Sequence, residues 1–319
     1  MKKAARYKNP ELIAETLAVL FLAAVVSAAN ALSLFYILFP ELGAIATDVL
    51  LRPNGKWAKE PWKLVMTPTV TGAVGILVGN YMPYGVISIL ITMTASIGII
   101  FALRSSVAPA ISAGVLPIVL GVTSWLYPLC ILGTLIVLTA TLLAWKRTPP
   151  GIALMPDVGV DRKAIEILES SPRGKGWLVP LYLFVAILGI AAQVTGWRFL
   201  LFPPLIVIAY EMLGHPETCP WAKSPFTFPV VCYLTALVGV GTDLWLGVTP
   251  LAVGLVSVVS LVILRLSRLR MPPAIAIGLI PFVLKSPTLQ YSLSVGLGTV
   301  ALTAWFLVCR RVTLARSAY

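Results

Sequence analysis

Long apolar stretches, separated by short basic or proline-led breaks, run through the whole chain. Eight of them are near 20 residues, enough to cross the roughly 30 Å hydrocarbon core of a bilayer as helices. They cover 13–38, 64–82, 84–103 and 125–145, then 177–201, 227–246, 248–264 and 289–309. Four more are shorter and proline-led, at about 40–51, 108–120, 203–214 and 272–284. Twelve helical residues reach only about 18 Å. Such a segment crosses a bilayer if it is tilted, paired across a thinned region or surrounded by protein. Barrel strands are short and alternating, and these runs are neither. The pattern therefore predicts an all-α polytopic membrane protein.

The pattern also repeats. Phe39-Pro40, Leu42, Asp48 and Pro53 recur as Phe202-Pro203, Leu205, Glu211 and Pro216, at an offset of 163 residues. Trp57-Ala58-Lys59 recurs as Trp221-Ala222-Lys223 at 164, and so do Arg104, Pro109-Ala110-Ile111, Gly114 and Pro117 as Arg268, Pro273-Ala274-Ile275, Gly278 and Pro281. This predicts two tandem transmembrane repeats, 1–148 and 177–319, joined by a linker over 149–176 with one short helix near 160–170. Each repeat has four full-length helices and two short, proline-led, broken or tilted ones. Internal repeats of membrane units commonly place a transport pathway at the pseudo-symmetry axis.

Charge sets the topology. Suppose the short segments cross and the N-terminus is cytoplasmic. Then 22 of the 24 Lys and Arg face the cytoplasm, leaving Arg198 and Lys285 outside. If the short segments dip and return, the bias disappears. The positive-inside rule selects the crossing arrangement. Both repeats then have one orientation, with a pseudo-twofold axis along the membrane normal. Both termini and the linker are cytoplasmic, and the location is the cell membrane. Lys2, Lys3, Arg6 and Lys8 before an apolar core imitate a signal peptide, but the apolar run continues to Phe39, too long for a signal core. It is read as a retained first helix.

Composition agrees with a membrane setting. Hydrophobic residues are 59% and charged residues 11%, against roughly 25% charged in soluble domains, and mean hydropathy is +0.95. The net charge of +12 sits between apolar segments, so it is assigned to topology and not to nucleic acid. Cys130, Cys219, Cys232 and Cys309 have no disulfide or metal spacing and are read as free thiols. His215 is the single histidine. No metal, cofactor or catalytic constellation is expected, and with no phosphate loop or nucleophile motif the chain is not read as an enzyme.

Two symmetric charge pairs stand out. Asp48 and Glu211 occupy equivalent positions on short segments. A carboxylate in a span costs about 2.5–3.5 kcal/mol on insertion scales, so lipid exposure is disfavoured. They are either a proton or cation relay, or partners of nearby cations such as Arg52 and Lys223. Glu41, directly after Pro40, reads as a first-turn acid favoured by the helix dipole. Arg104 and Arg268 precede the helix starts at Pro109 and Pro273, where exposed N–H groups and the positive helix end attract anions. They either capture an anion or simply mark a cytoplasmic loop. Asn30 and Gln193 are equivalent amides in the first helix of each repeat and need partners or a wet cavity. Trp57 and Trp221 are either interfacial anchors or pins for a cytoplasmic loop.

Met271-Pro272-Pro273-Ala274, then Ala276 and Leu279-Ile280-Pro281, resemble the signature of the HPP family of integral membrane proteins. Leu205 to Glu211, Pro216 and Pro220-Trp221-Ala222-Lys223-Ser224-Pro225 are similar to that family's other retained stretch. Val107-Ala108-Pro109-Ala110 with Leu116-Pro117 is a weaker copy. One HPP unit matches about one repeat, so the chain resembles a fused dimer. The resemblance implies membrane transport, with nitrite as the solute linked to plant and cyanobacterial members. The signature histidine is replaced by Met271 in one copy and by Val107 or Ala108 in the other.

The leading expectation is a transporter or channel for a small anion, such as nitrite or a carboxylate. Its pathway would lie where the repeats meet through their short segments, 40–51 with 203–214 and 108–120 with 272–284. Arg104 and Arg268 would attract the anion, and Asp48 or Glu211 would supply proton coupling. The alternative is a lipid-handling protein, a flippase or transferase acting on a phosphorylated lipid. Expected partners are a small solute and the bilayer, with no nucleic acid; a homo-oligomer stays open.

Overall fold

The structure is a computed structural model that describes residues 9–155 and 176–317. The short helix expected near 160–170 lies outside the described residues. Among those residues the protein is helical, with no strand. The helices are α1 (Pro10–Leu32), α2 (Glu41–Leu51), α3 (Lys56–Lys59), α4 (Pro61–Tyr81), α5 (Val86–Ala102), α6 (Pro109–Leu120), α7 (Leu126–Trp145) and α8 (Pro149–Ala153). They continue as α9 (Leu178–Thr195), α10 (Pro203–Gly214), α11 (Pro220–Lys223), α12 (Thr227–Leu246), α13 (Pro250–Leu266), α14 (Pro273–Leu279) and α15 (Leu289–Ser317). Short 3-10 turns precede α2 and α10 and follow α14.

Six helices are long and apolar enough to cross a membrane: α1, α4, α7, α9, α12 and α15. The other two of the eight expected spans, α5 and α13, are shorter. Each has 17 residues and reaches about 26 Å. Both stop at an arginine in the left-handed region, Arg104 at φ 47° and Arg268 at φ 51°. There the next amide reaches back to close the helix, Ser105 N–H to Ile100 C=O at 2.8 Å and Leu269 N–H to Leu264 C=O at 3.1 Å. This closing turn normally takes glycine.

Burial separates long from short helices. The long ones bury one face, as α1 does through Ala14, Ala18, Leu22, Val26 and their neighbours. Leu20, Ile136, Ile187 and Leu297 stand exposed on the opposite faces. The short ones are enclosed on every side: α2 is buried from Glu41 to Leu50, α6 from Pro109 to Val119, α10 from Pro203 to Leu213 and α14 throughout. Of the three ways a short helix can exist at membrane depth, these use enclosure by protein.

The short helices meet, but crosswise. Helix α2 packs on α14 and α6 on α10, while α2 also touches α6 and α10 touches α14. They form a ring of four, which corrects the expected pairings of 40–51 with 203–214 and of 108–120 with 272–284. A Cβ on Gly43 would lie 2.6 Å from the Leu279 side chain, so α2 and α14 approach at the limit that glycine permits.

The same exchange extends to the long helices. One core joins α1, α2, α4 and α7 to α13 and one face of α14, through Leu42, Ile45, Val49, Val253, Val256 and Ile275. The other joins α9, α10, α12 and α15 to α5 and one face of α6, through Leu205, Ile208, Val240, Met93 and Ile111. Each core therefore borrows two helices from the other half of the chain. The amides mark the exchange: Asn30 Nδ2 donates to Val248 O at 2.9 Å, and Gln193 Oε1 accepts from Val86 N at 3.2 Å.

Candidate functional site

A cavity of about 520 Å³ opens where the ring of short helices meets its connecting loops. Residues matched by the 163–164-residue sequence offset face it in pairs: Ala44 and Val207, Asp48 and Glu211, Trp57 and Trp221, Pro109 and Pro273. Four of the eight residues singled out from the sequence therefore line it as pairs. Arg268 joins them without its counterpart. Its volume lies in the range of sites for small organic ligands, roughly 300–1,000 Å³.

Local geometry explains the placement of each group. Asp48 sits in the last turn of α2, and its Oδ1 accepts from Arg52 Nε at 3.0 Å. Helical spacing of four residues brings that pair together. Glu15 on α1 pairs with Arg265 on α13, their nearest atoms 2.5 Å apart, across one wall of the cavity. Arg268 and Arg270 also line it, and among the described residues neither meets an acid. Two of the four cavity arginines are thus paired with acids, and among the described residues the other two are not.

The tryptophans are buried pins for the loops. Trp57 Nε1 donates to Ser106 O at 2.8 Å, and Trp221 Nε1 to Ile208 O at 3.3 Å. Cys219, beside Pro220 of the cavity wall, is fully buried. Burial pushes its thiol well above the usual range, and the charge of Glu211 adds to that.

Not every expected residue reaches the cavity. Arg104 is exposed, and its carbonyl accepts from Lys63 Nζ at 2.9 Å. Asn30 and Gln193 are exposed at the opposite ends of α1 and α9, where they tie the halves together. The helix starts also differ from expectation. Ala110 and Ile111 donate their N–H groups to Val107 and Ala108, and Ala274 and Ile275 donate theirs to Met271 and Pro272, at 3.0–3.1 Å. These first-turn amides are engaged in the preceding turn, so Pro109 and Pro273 bring the helix field to the cavity without free donors.

The residues that sequence reasoning missed are Arg265, Arg270, Glu11 and Glu15 at the cavity, and Glu41 beneath it. Glu41 is 2% exposed and bonds to Ser112. The signal for it was a broken repeat, because Pro204 and Ala276 stand at the equivalent positions. No family model, curated protein or solved structure matches the chain.

Proposed function

We propose that the protein is a membrane transporter for a small organic anion, with both termini cytoplasmic and its pathway between two tandem repeats. The observation that carries this is the cavity, with residues of both halves facing it in pairs and with Arg268 and Arg270 unpaired among the described residues. A passage shared by two equivalent units belongs on their common axis. The walls between the charges are largely apolar, from Ala44, Leu51, Val207, Leu261, Leu264 and Ile275. Apolar walls with a few placed charges favour a carboxylate with a carbon skeleton over a bare inorganic ion such as nitrite. In this reading Asp48 holds Arg52 in place, Glu211 shapes the opposite wall, and the HPP resemblance of 271–281 is a family relationship.

The test is uptake of radiolabelled malonate into proteoliposomes, with nitrite and phosphate as comparison solutes. Wild type takes up malonate above empty vesicles, and Arg268→Ala with Arg270→Ala raises the half-saturating concentration tenfold or more. Uptake equal to that of empty vesicles for all three solutes sinks the proposal. The same apolar walls and free arginines fit a lipid phosphate, the second reading. Transfer of a fluorescent phospholipid between leaflets without malonate uptake would establish it instead.

A further inference from the structure

Beneath the cavity lies a polar site that neither the repeat pattern nor the cavity explains. Ala44 and Pro109 line the cavity. Three residues along α2 and α6, on the same helix faces and one turn deeper, stand Glu41 and Ser112. Glu41 Oε1 accepts from the Ser112 hydroxyl, and Oε2 is buried with no partner. Among the described residues no cation is paired with it. A carboxylate ion enclosed this way is strongly disfavoured, whereas the neutral acid leaves much less charge to desolvate.

Among the described residues, few other ionisable groups lie on the helices around it. Helices α1, α6, α7 and α14 pack on α2. The α6 and α14 segments carry no ionisable side chain, and the α1 acids, Glu11 and Glu15, face the cavity. Helix α7 brings Tyr127 and Cys130. Tyr127 and Tyr291, the latter from α15, are close enough to sense a charge on Glu41. Both phenols are engaged, donating to Ala113 O at 2.8 Å and Ile277 O at 2.7 Å. On its own helix, Asp48 is two turns away and held by Arg52. The second half lacks both parts of the site, with Pro204 and Ala276 in their places.

We propose that Glu41 and Ser112 form a proton-binding site beneath the cavity floor, one per chain, which exchanges its proton with water in the cavity. Binding places the proton on the unpartnered oxygen of Glu41. Release passes it to a cavity water, leaving carboxylate and hydronium. The use of that proton to drive anion uptake rests on the transport reading above; the presence of the site does not.

Infrared spectroscopy of the full-length protein in detergent, titrated with pH in light and heavy water, tests this. The expected result is a protonated-carboxyl band at neutral pH that shifts in heavy water, disappears reversibly on alkaline titration and is absent from Glu41→Gln. Ser112→Ala keeps the acid and shifts the band by removing its hydrogen bond. An unchanged band in either variant overturns the proposal. A Glu41 band that neither exchanges nor titrates while the protein stays folded overturns it too, because the proton is then sealed in. Failure of malonate uptake in vesicles tells against transport alone, and the infrared result is read independently of it.

Discussion

Gly75 on α4 lies directly on the carbonyl of Gly114 on α6: a Cβ built there would be 2.0 Å from that oxygen. Gly239 on α12 stands the same way on Gly278, at 2.2 Å. A methyl group at either position forces two backbones apart, and neither is a flexible side chain end. Gly75→Ala and Gly239→Ala should each cost about 3 kcal/mol, the upper part of the range for overpacking. Gly98→Ala, inside α5 where nothing lies within 4 Å, should gain about 0.5–1 kcal/mol from helix propensity. Thermal unfolding in detergent, followed by tryptophan fluorescence, reads all three. Equal midpoints for Gly75→Ala and Gly98→Ala would show that the α4–α6 contact is looser than described.

Arg104 and Arg268 share a strained backbone but not a location. Glycine adopts the left-handed region without the Cβ penalty. Arg104→Gly and Arg268→Gly should therefore both gain stability, by about 0.5–1 kcal/mol. Only Arg268→Gly should weaken malonate uptake, since only Arg268 lines the cavity. Equal uptake losses in the two variants would remove the distinction and return both arginines to a general charge effect.

The amide ties predict a purely structural phenotype. Asn30→Leu and Gln193→Leu each remove a hydrogen bond between the halves, worth about 1 kcal/mol. Unfolding midpoints should fall while the half-saturating malonate concentration stays constant. A changed concentration would put the amides back in the pathway.

Topology is tested from outside the cell. In a cysteine-free background, a cysteine placed at Lys56 should be closed to an impermeant maleimide added externally, and one at Arg198 open to it. External labelling at position 56 contradicts the crossing of α2.

Cys219 should resist thiol reagents in the native protein, because it is buried and its thiol is held in the protonated form. Cys130 and Cys309, both partly exposed, should react first. Counting modified cysteines by mass spectrometry, before and after adding denaturant, checks this. Rapid native labelling of Cys219 would show that the loop before α11 opens readily.

The helices were legible because their signals are local. The helix runs at 125–145 and 227–246 and the proline starts at 109, 203 and 273 match the observed ends within a residue or two. The cavity pairs Asp48 with Glu211 and Pro109 with Pro273, both visible as repeats in the chain. Spacing says nothing about which half a helix packs against, so the borrowing of α5 and α13 was hidden, and with it the crosswise ring. Arg104 was read by its charge, although its backbone angle ends α5. Glu41 was assigned to the helix dipole because the enclosure around it comes from α6, distant in sequence.

The exchange of helices between the two cores sets the order in which the protein can be made. Helices α1, α2, α4 and α7 enter the bilayer early, yet their shared core also needs Val253, Val256, Ile275 and Phe282. Those residues emerge from the ribosome only after the whole first half. Until they do, the first half waits with a vacant groove, unable to complete its tertiary structure alone. A truncated product ending in the linker should thus be inserted but unfinished, and a natural target for membrane proteases.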